Sequence, residues 1–178
     1  MQTYLALLRG INVGGNSLIK MEALRTALAE SLTDVATYIQ TGNVLFKSEE
    51  TDTAALARRI EAVIKRAFEL KVATVAFSAA DWKDIIATAP VWWGKEPDWK
   101  HNLLVLTEPL SSDEVIAAYG ELKPDIEKLA PGNGVLYQSL SFENFGRTTG
   151  GKLAANPLYQ KMTVRNYNTA AKLARLLP

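Results

Sequence analysis

The sequence contains no cysteine and only one histidine, His101. The absence of cysteine excludes disulfides, thiol catalysis, and zinc or iron–sulfur sites that depend on thiolate ligands. A single histidine also excludes a histidine pair on a metal and a serine–histidine triad with a second histidine in reserve. We therefore expect no metal site and no cofactor, and no residue is assigned a catalytic role.

Long hydrophobic runs are also missing, although 48% of the 178 residues are hydrophobic. None approaches the length of a membrane span. The short apolar segment near Met1 has no positively charged region before it, so we interpret it as a buried strand rather than a signal peptide. With 22% charged residues, the composition is typical of a soluble globular protein. We expect a cytoplasmic protein without a membrane partner.

Acidic residues are absent from residues 147–178, which contain six lysines and arginines. By contrast, residues 79–146 contain five lysines and eleven acidic residues. A basic terminal segment is typical of proteins that bind an anionic partner. Ion pairs with the acidic middle segment explain the same distribution, and the sequence leaves both interpretations open.

Hydrophobic periodicity divides residues 1–78 into six elements. They are a strand at 2–8, a helix at 20–32, strands at 35–40 and 44–47, a helix that ends at 68, and a strand at 72–77. This βαββαβ order is that of a ferredoxin-like α/β sandwich. The first subdomain is therefore predicted to comprise residues 1–78.

Residues 79–178 are predicted to form a second ferredoxin-like subdomain with C-terminal helices. The expected elements are a helix at 79–88, a strand at 101–107, a helix at 111–122, strands at 125–130 and 134–139, and helices at 150–160 and 164–177. The predicted order is thus βαββα plus an extra helix. The fold class is α+β, with two α/β sandwich subdomains.

The loop after the first strand contains three glycines and two asparagines. Residues 10–17 differ from the phosphate-loop pattern GxxxxGK[ST] by one substitution, because Asn16 stands where that pattern has lysine. Without the lysine that reaches the β- and γ-phosphates, a nucleoside-triphosphate loop is not expected. Two interpretations remain: the loop offers backbone N–H groups and Arg9 to an anion, or its shape simply requires glycine.

A second polar cluster, residues 38–44, precedes and enters the third strand. In a split βαβ sheet the first and third strands are adjacent and antiparallel. We therefore expect Arg9 and Gly10 to lie close to Gly42 and Asn43, as parts of one site. Alternatively, the Asn43 side chain closes the turn in which it lies.

A third polar cluster comprises residues 147–152, residues 156–157 and residues 162–169, the last of which enter the final predicted helix at 164–177. There Arg165, Thr169 and Lys172 share one face, and Thr163 is expected to be the N-cap. A cation in the first turn opposes the helix dipole, so Arg165 requires a carboxylate partner or a bound anion. The sequence favours neither explanation over the other.

Three segments, residues 7–15, 38–46 and 162–169, together resemble DUF1697, a family of uncharacterised bacterial proteins. The resemblance extends over essentially the whole chain. It implies a two-subdomain α+β fold with ferredoxin-like halves, and it implies no established activity. The family motifs correspond here to Arg9, Gly10, Asn12, Gly14, Gly15, Lys20, Gly42, Asn43, Arg165, Asn166 and Thr169.

From these clusters we expect a non-catalytic module that binds an anionic ligand, either a nucleotide-like small molecule or the phosphate of a nucleic acid. The candidate ligand-binding residues are Arg9, Gly10, Asn12, Gly14, Gly15, Lys20, Asn43, Arg165, Asn166 and Thr169. One alternative is an enzyme that uses Lys20, Tyr38 or Glu22 in acid–base chemistry. Another is an interaction protein without a ligand.

Overall fold

The structure is a computed structural model that describes residues 1–15 and 17–178. Contacts between Cα atoms divide it into two compact units. The first unit comprises Met1–Lys83 and Leu173–Pro178, and the second comprises Asp84–Lys172. Among the described residues, no helix has both the length and the apolar character needed to cross a membrane.

The first unit has the predicted ferredoxin-like βαββαβ order. Its elements are β1 (Gln2–Leu8), α1 (Met21–Leu28), β2 (Thr33–Tyr38), β3 (Asn43–Ser48), α2 (Thr53–Phe68) and β4 (Thr74–Ser78). The strands form one antiparallel sheet in the order β2-β3-β1-β4. Both crossover connections are helical, so α1 and α2 cover the same face of this sheet.

The core of the first unit lies between its sheet and the two helices, α1 and α2. Asp52 caps this helix by accepting hydrogen bonds from the backbone N–H groups of Ala54 and Ala55. The buried stripe of α2 includes Leu56, Ile60 and Ile64, which belong to the same hydrophobic cluster as alternate residues of β1. This packing holds β1 in the sheet, and its C-terminal end is thereby positioned next to the β2–β3 turn.

The second unit repeats the same sheet topology. Helix α3 (Ala79–Ala87) begins in the first unit, and helix α6 (Tyr167–Leu176) ends in it. The elements between them are β5 (Trp99–Leu106), α4 (Ser112–Tyr119), β6 (Glu127–Gly132), β7 (Val135–Ser141), α5 (Thr149–Lys152) and β8 (Met162–Asn166). The strands are antiparallel in the order β6-β7-β5-β8. Short 3₁₀ turns flank α5, so no long helix connects β7 to β8.

The prediction of one helix over residues 164–177 was wrong in its first turn. Residues 162–166 form strand β8, in which Thr163 and Val164 pair with Val105 and Leu104 of β5. Both are β-branched residues, which fit a pleated sheet better than a helix. The helix α6 begins only at Tyr167, and the Asn166 side chain, not Thr163, accepts a hydrogen bond from the N–H of Thr169.

This correction changes the position of Arg165. Because it lies on a strand, Arg165 does not share a helix face with Thr169 and Lys172. Arg165 therefore lies outside the first turn of α6 and does not oppose its helix dipole. The predicted helix over residues 150–160 was also too long, since only residues 150–152 of this range are α-helical.

Candidate functional site

The end of β1 lies directly beside the β2–β3 turn. The backbone N–H of Leu8 donates to the carbonyl of Gly42 at 2.8 Å, and Leu7 pairs in register with Asn43. The next residue, Arg9, is half-buried, and its backbone N–H donates to the carbonyl of Ala73. The first two polar clusters are thus adjacent within the first unit.

Residues 9–20, here called the glycine loop, depend on glycine for their backbone conformation. Gly10, Gly14 and Gly15 have φ angles of +70°, +64° and +78° and are exposed. A Cβ atom at any of the three would have no other atom within 4 Å. Glycine is therefore needed there for its left-handed backbone, and not because space is short. Asn16, on which the comparison with the phosphate-loop pattern depends, lies outside the described residues.

Asn12 organises the glycine loop. Its Nδ2 donates to the carbonyls of Ile19 and Gln40, both at 2.9 Å, and its Oδ1 accepts from the N–H of Ile19 at 2.8 Å. Its own backbone N–H donates to Ser17, and its φ of +54° is one that asparagine tolerates better than most residues. This single side chain joins the two ends of the loop and ties them to the β2–β3 turn.

Replacing Asn12 with alanine is expected to lower the free energy of unfolding by about 2 kcal/mol, because the side-chain hydrogen bonds and a residue suited to positive φ are both lost. An Asn12→Gly variant loses only the hydrogen bonds and should be less destabilised, by about 1 kcal/mol. Urea denaturation of both variants measures the difference. If the Asn12→Ala variant were as stable as Asn12→Gly, the left-handed backbone at this position would not contribute to the loss of stability.

The surface of the glycine loop carries groups that attract anions. Among the described residues, no hydrogen-bond acceptor is found for the N–H groups of Gly14 and Gly15. Lys20 is exposed and directly precedes α1, whose N-terminus has no side-chain cap. Glu22, the acid in the first turn of α1, is also exposed. The loop therefore combines backbone donors with a lysine whose ammonium group lies in solvent.

Asn43, by contrast, is inside the first unit. It has no exposed surface, and its Nδ2 donates to the carbonyl of Tyr38 at 3.0 Å and to the Thr41 hydroxyl at 3.3 Å. These bonds close the β2–β3 turn, which is the structural role considered from the sequence. Tyr38 itself is half-buried at the end of β2.

The remaining candidates, Arg165, Asn166 and Thr169, belong to the second unit. Arg165 is 6% exposed and pairs in register with Leu103, on the sheet face away from α4. Its Nη1 donates to the Thr163 hydroxyl and to the Val164 carbonyl, both at 2.9 Å. Burial lowers the pKa of Arg165 to about 10. Asn166 and the buried Thr169 form the N-terminal cap of α6.

A buried chain of polar groups in the second unit was not predicted from the sequence. Asn102 donates to Gln138 at 2.9 Å, Gln138 donates to the Tyr119 hydroxyl at 3.2 Å, and this hydroxyl donates to Glu127 at 3.2 Å. Glu127 also accepts from the backbone N–H groups of Gly150 and Lys123. No spacing or periodicity in the sequence distinguishes these residues, because the chain joins side chains from three strands and a helix.

Glu127 is 1% exposed, and its carboxylate is held in the charged form by backbone donors. Burial acts to raise the pKa of Glu127. Hydrogen bonds from the N–H groups of Gly150, Thr149 and Lys123 outweigh this effect, and the pKa lies below its ordinary value of 4.5. No group of three histidine, cysteine or acidic side chains suited to a metal ion occurs in the part of the chain that the structure describes.

Comparisons with known proteins agree with this fold. A comparison with curated proteins gives no match. Among solved structures, the chain is similar to the conserved bacterial protein SP0830 from Streptococcus pneumoniae, with 29% sequence identity, 99% of each chain covered and a TM-score of 0.87. The model of DUF1697, described as a protein of unknown function, matches residues 1–137. The motif at residues 162–169 lies outside the matched range, and the motifs at 7–15 and 38–46 lie within it. The chain therefore belongs to the DUF1697 family, as its motifs predicted.

Proposed function

We propose that this protein is a binding module for an anionic ligand, and that a phosphate group of this ligand binds at the glycine loop. The observation that carries the proposal is the exposed Gly14–Gly15 segment, for whose N–H groups no acceptor is found among the described residues. Backbone N–H groups of this kind form anion-binding concavities in many proteins. Lys20 at the far end of the loop supplies a positive charge.

The hydrogen bonds of Asn12 support this proposal. Asn12 forms side-chain hydrogen bonds to Ile19 and Gln40, which join residues on either side of the Gly14–Gly15 segment before any ligand arrives. A preorganised loop loses less conformational entropy on binding than a flexible one. The loop donates through its backbone, which suits the oxygens of a phosphate and does not read a base. We therefore expect the phosphate group to dominate recognition.

Binding is tested by thermal unfolding in the presence of inorganic phosphate and of nucleoside mono-, di- and triphosphates. A ligand that binds only the folded protein raises its stability by about 2.7 kcal/mol at 100 times the dissociation constant. Single-stranded RNA and DNA oligonucleotides form a second arm, measured at about 50 mM and 200 mM salt. A nucleotide-like ligand should stabilise the protein with an affinity that depends on its phosphate groups and little on its base, whereas nucleic-acid binding should fall steeply with salt. The absence of both effects would refute the proposal.

A Lys20→Ala variant is expected to bind the best phosphate ligand about five- to tenfold more weakly, because one charge-assisted contact is lost. The matched control is Arg59→Ala, since Arg59 is an exposed cation near Lys47 and Ser48, at the opposite end of the same sheet. Isothermal titration calorimetry measures both affinities. Equal losses in the two variants would show general charge attraction rather than a site at the loop.

A further inference from the structure

The second unit contains a small cavity on the face of its sheet that carries α4. It has a volume of about 100 Å³ and lies where the short turns between β7 and β8 replace a long helix. This is several times the ~10–15 Å³ that one water molecule needs, and less than the ~300–1,000 Å³ of a drug-sized pocket. The cavity therefore has room for a small molecule or for one end of a larger one.

The buried polar side chains of the cavity lining are two carboxamides. Asn102 and Gln138 are 6% and 2% exposed and lie opposite each other on β5 and β7. Leu104, Leu153 and Val164 contribute apolar surface to the same lining. Such a combination of apolar walls and a few convergent polar groups is typical of ligand-binding sites.

The direction of every hydrogen bond in this lining is set by the Glu127 carboxylate. A charged carboxylate can only accept, so the Tyr119 hydroxyl must donate to it. The Tyr119 oxygen then accepts from Nε2 of Gln138, and Oε1 of Gln138 accepts from Nδ2 of Asn102. Because this order determines the amide orientations, Oδ1 of Asn102 is left at the end of the chain as a hydrogen-bond acceptor.

This acceptor has no partner within the described protein. No described residue donates to Oδ1 of Asn102. Among the described residues, Glu96 Oε2 is the one side-chain atom that is both sealed from solvent and without a hydrogen-bond partner. Because Oδ1 of Asn102 has no partner either, it must be accessible to solvent. It therefore opens into the cavity that Asn102 lines. A buried acceptor of this kind is stabilised when a bound molecule donates an N–H or O–H group to it.

A cation lies at the mouth of the same cavity. Lys100 is exposed and lines the cavity, and its Nζ is 5.3 Å from the centre of the Phe145 ring. On β5, Lys100 and Asn102 are two residues apart on one face, so their Cα atoms are about 6.6 Å apart. One small ligand can therefore reach the Asn102 oxygen and the Lys100 ammonium group together.

Gly150 is the residue that allows this arrangement. A Cβ atom there would overlap the Tyr119 hydroxyl and would lie 2.7 Å from Nε2 of Gln138. The backbone N–H of Gly150 also donates to Glu127 at 3.0 Å. The close approach of α5 to the hydrogen-bonded chain thus depends on a residue without a side chain.

We propose that this cavity is a second ligand-binding site, for a small carboxylate that has a hydroxyl or amide N–H donor next to a compact apolar body. The donor binds Oδ1 of Asn102, the apolar body lies against Leu104 and Val164, and the carboxylate pairs with Lys100. This site is independent of the glycine loop, which belongs to the first unit.

The test uses three related probes and NMR spectra of the full-length protein labelled with ¹⁵N. 2-Hydroxy-4-methylpentanoate has all three features, 4-methylpentanoate lacks the donor, and 2-hydroxy-4-methylpentanamide lacks the charge. The side-chain NH₂ signals of Asn102 and Gln138 report directly on the cavity. We expect the hydroxy acid to shift both signals saturably, and each of the other probes to bind about five- to tenfold more weakly.

Two exposed lysines provide the matched variants. Lys100→Met should weaken binding of the hydroxy acid about fivefold and leave binding of the uncharged amide unchanged. Lys95→Met, which removes an exposed cation outside the cavity lining, should change neither affinity. The proposal is overturned if the hydroxy acid leaves the Asn102 and Gln138 signals unshifted, if the three probes bind equally, or if Lys100→Met has no effect on binding of the hydroxy acid. All of these outcomes are independent of phosphate binding at the glycine loop.

Discussion

Replacing Glu127 with alanine is expected to lower the free energy of unfolding by about 3–5 kcal/mol. The carboxylate accepts hydrogen bonds from the N–H groups of Gly150 and Lys123 and from the Tyr119 hydroxyl. Alanine leaves these donors without an acceptor in a site where Glu127 itself is 1% exposed, and each unsatisfied group costs about 1–3 kcal/mol. Denaturation in urea measures the loss as a shift in the transition midpoint at constant slope.

Two further variants separate the causes of this effect. Glu127→Gln keeps the size and one acceptor oxygen but places an NH₂ group against backbone donors, so a smaller loss of about 1–2 kcal/mol is expected. Glu143→Ala removes an exposed acid from the same unit and should change stability by less than about 0.5 kcal/mol. Equal stability of Glu127→Ala and Glu143→Ala would show that the buried chain of polar groups does not contribute to stability.

Glu127 should also make stability depend on pH. Its pKa is lower in the folded protein than the ordinary value of 4.5, since backbone donors outweigh the effect of burial. A carboxyl group of this kind stabilises the folded state above its unfolded pKa, and the contribution is lost as the pH falls through the folded pKa. Between pH 7 and pH 3 the wild-type protein should therefore lose more stability than Glu127→Gln. If both proteins lost the same amount of stability over this pH range, Glu127 would not be the source of the pH dependence.

Much of the fold could be predicted because local signals agree with the final structure. The Ser111–Glu114 pair forms the capping box expected at a helix start, and Asp52 caps α2. Asn133 and Gly134 form the turn between β6 and β7, close to the boundary expected from the sequence. In the first unit, hydrophobic periodicity alone indicated the βαββαβ order. These features depend on neighbours within a few positions in the chain.

The strand β8 could not be recognised in the same way. Its five residues directly precede α6 without a glycine or proline between them, so the pattern was interpreted as one helix. What makes the segment a strand is its pairing with β5, in which Leu104 lies opposite Val164. This pairing joins residues 60 positions apart, and such tertiary contacts override local propensity.

The candidate site was predictable only in part, for a related reason. The glycine loop was found from its composition, and its adjacency to the β2–β3 turn followed from the strand order. The role of Asn12, which organises the loop through the carbonyls of Ile19 and Gln40, depends on side-chain geometry. The cavity lined by Asn102 and Gln138 combines side chains from several elements, and no spacing in the sequence indicates it.

The second large effect is expected for Gly42→Ala, with a loss of about 3–4 kcal/mol in the free energy of unfolding. A Cβ atom at Gly42 would lie 2.6 Å from Cβ of Leu8 and 2.9 Å from Cγ1 of Ile11. Leu8 and Ile11 have no exposed surface, so neither can move aside without disturbing the core. Overpacking of this kind costs about 1–3 kcal/mol, and the φ of +77° adds backbone strain for alanine.

Gly134→Ala is the control that separates these two costs. Gly134 has a similar φ of +69°, but a Cβ atom there would have no other atom within 4 Å. The Gly134→Ala variant should therefore lose only about 1–2 kcal/mol in the free energy of unfolding, from backbone strain alone. Because Gly42 also accepts the hydrogen bond that joins the β2–β3 turn to Leu8, Gly42→Ala should in addition increase amide exchange in the glycine loop. Equal destabilisation of the two variants, measured by urea denaturation, would show that the contact between this turn and the end of β1 is not tightly packed.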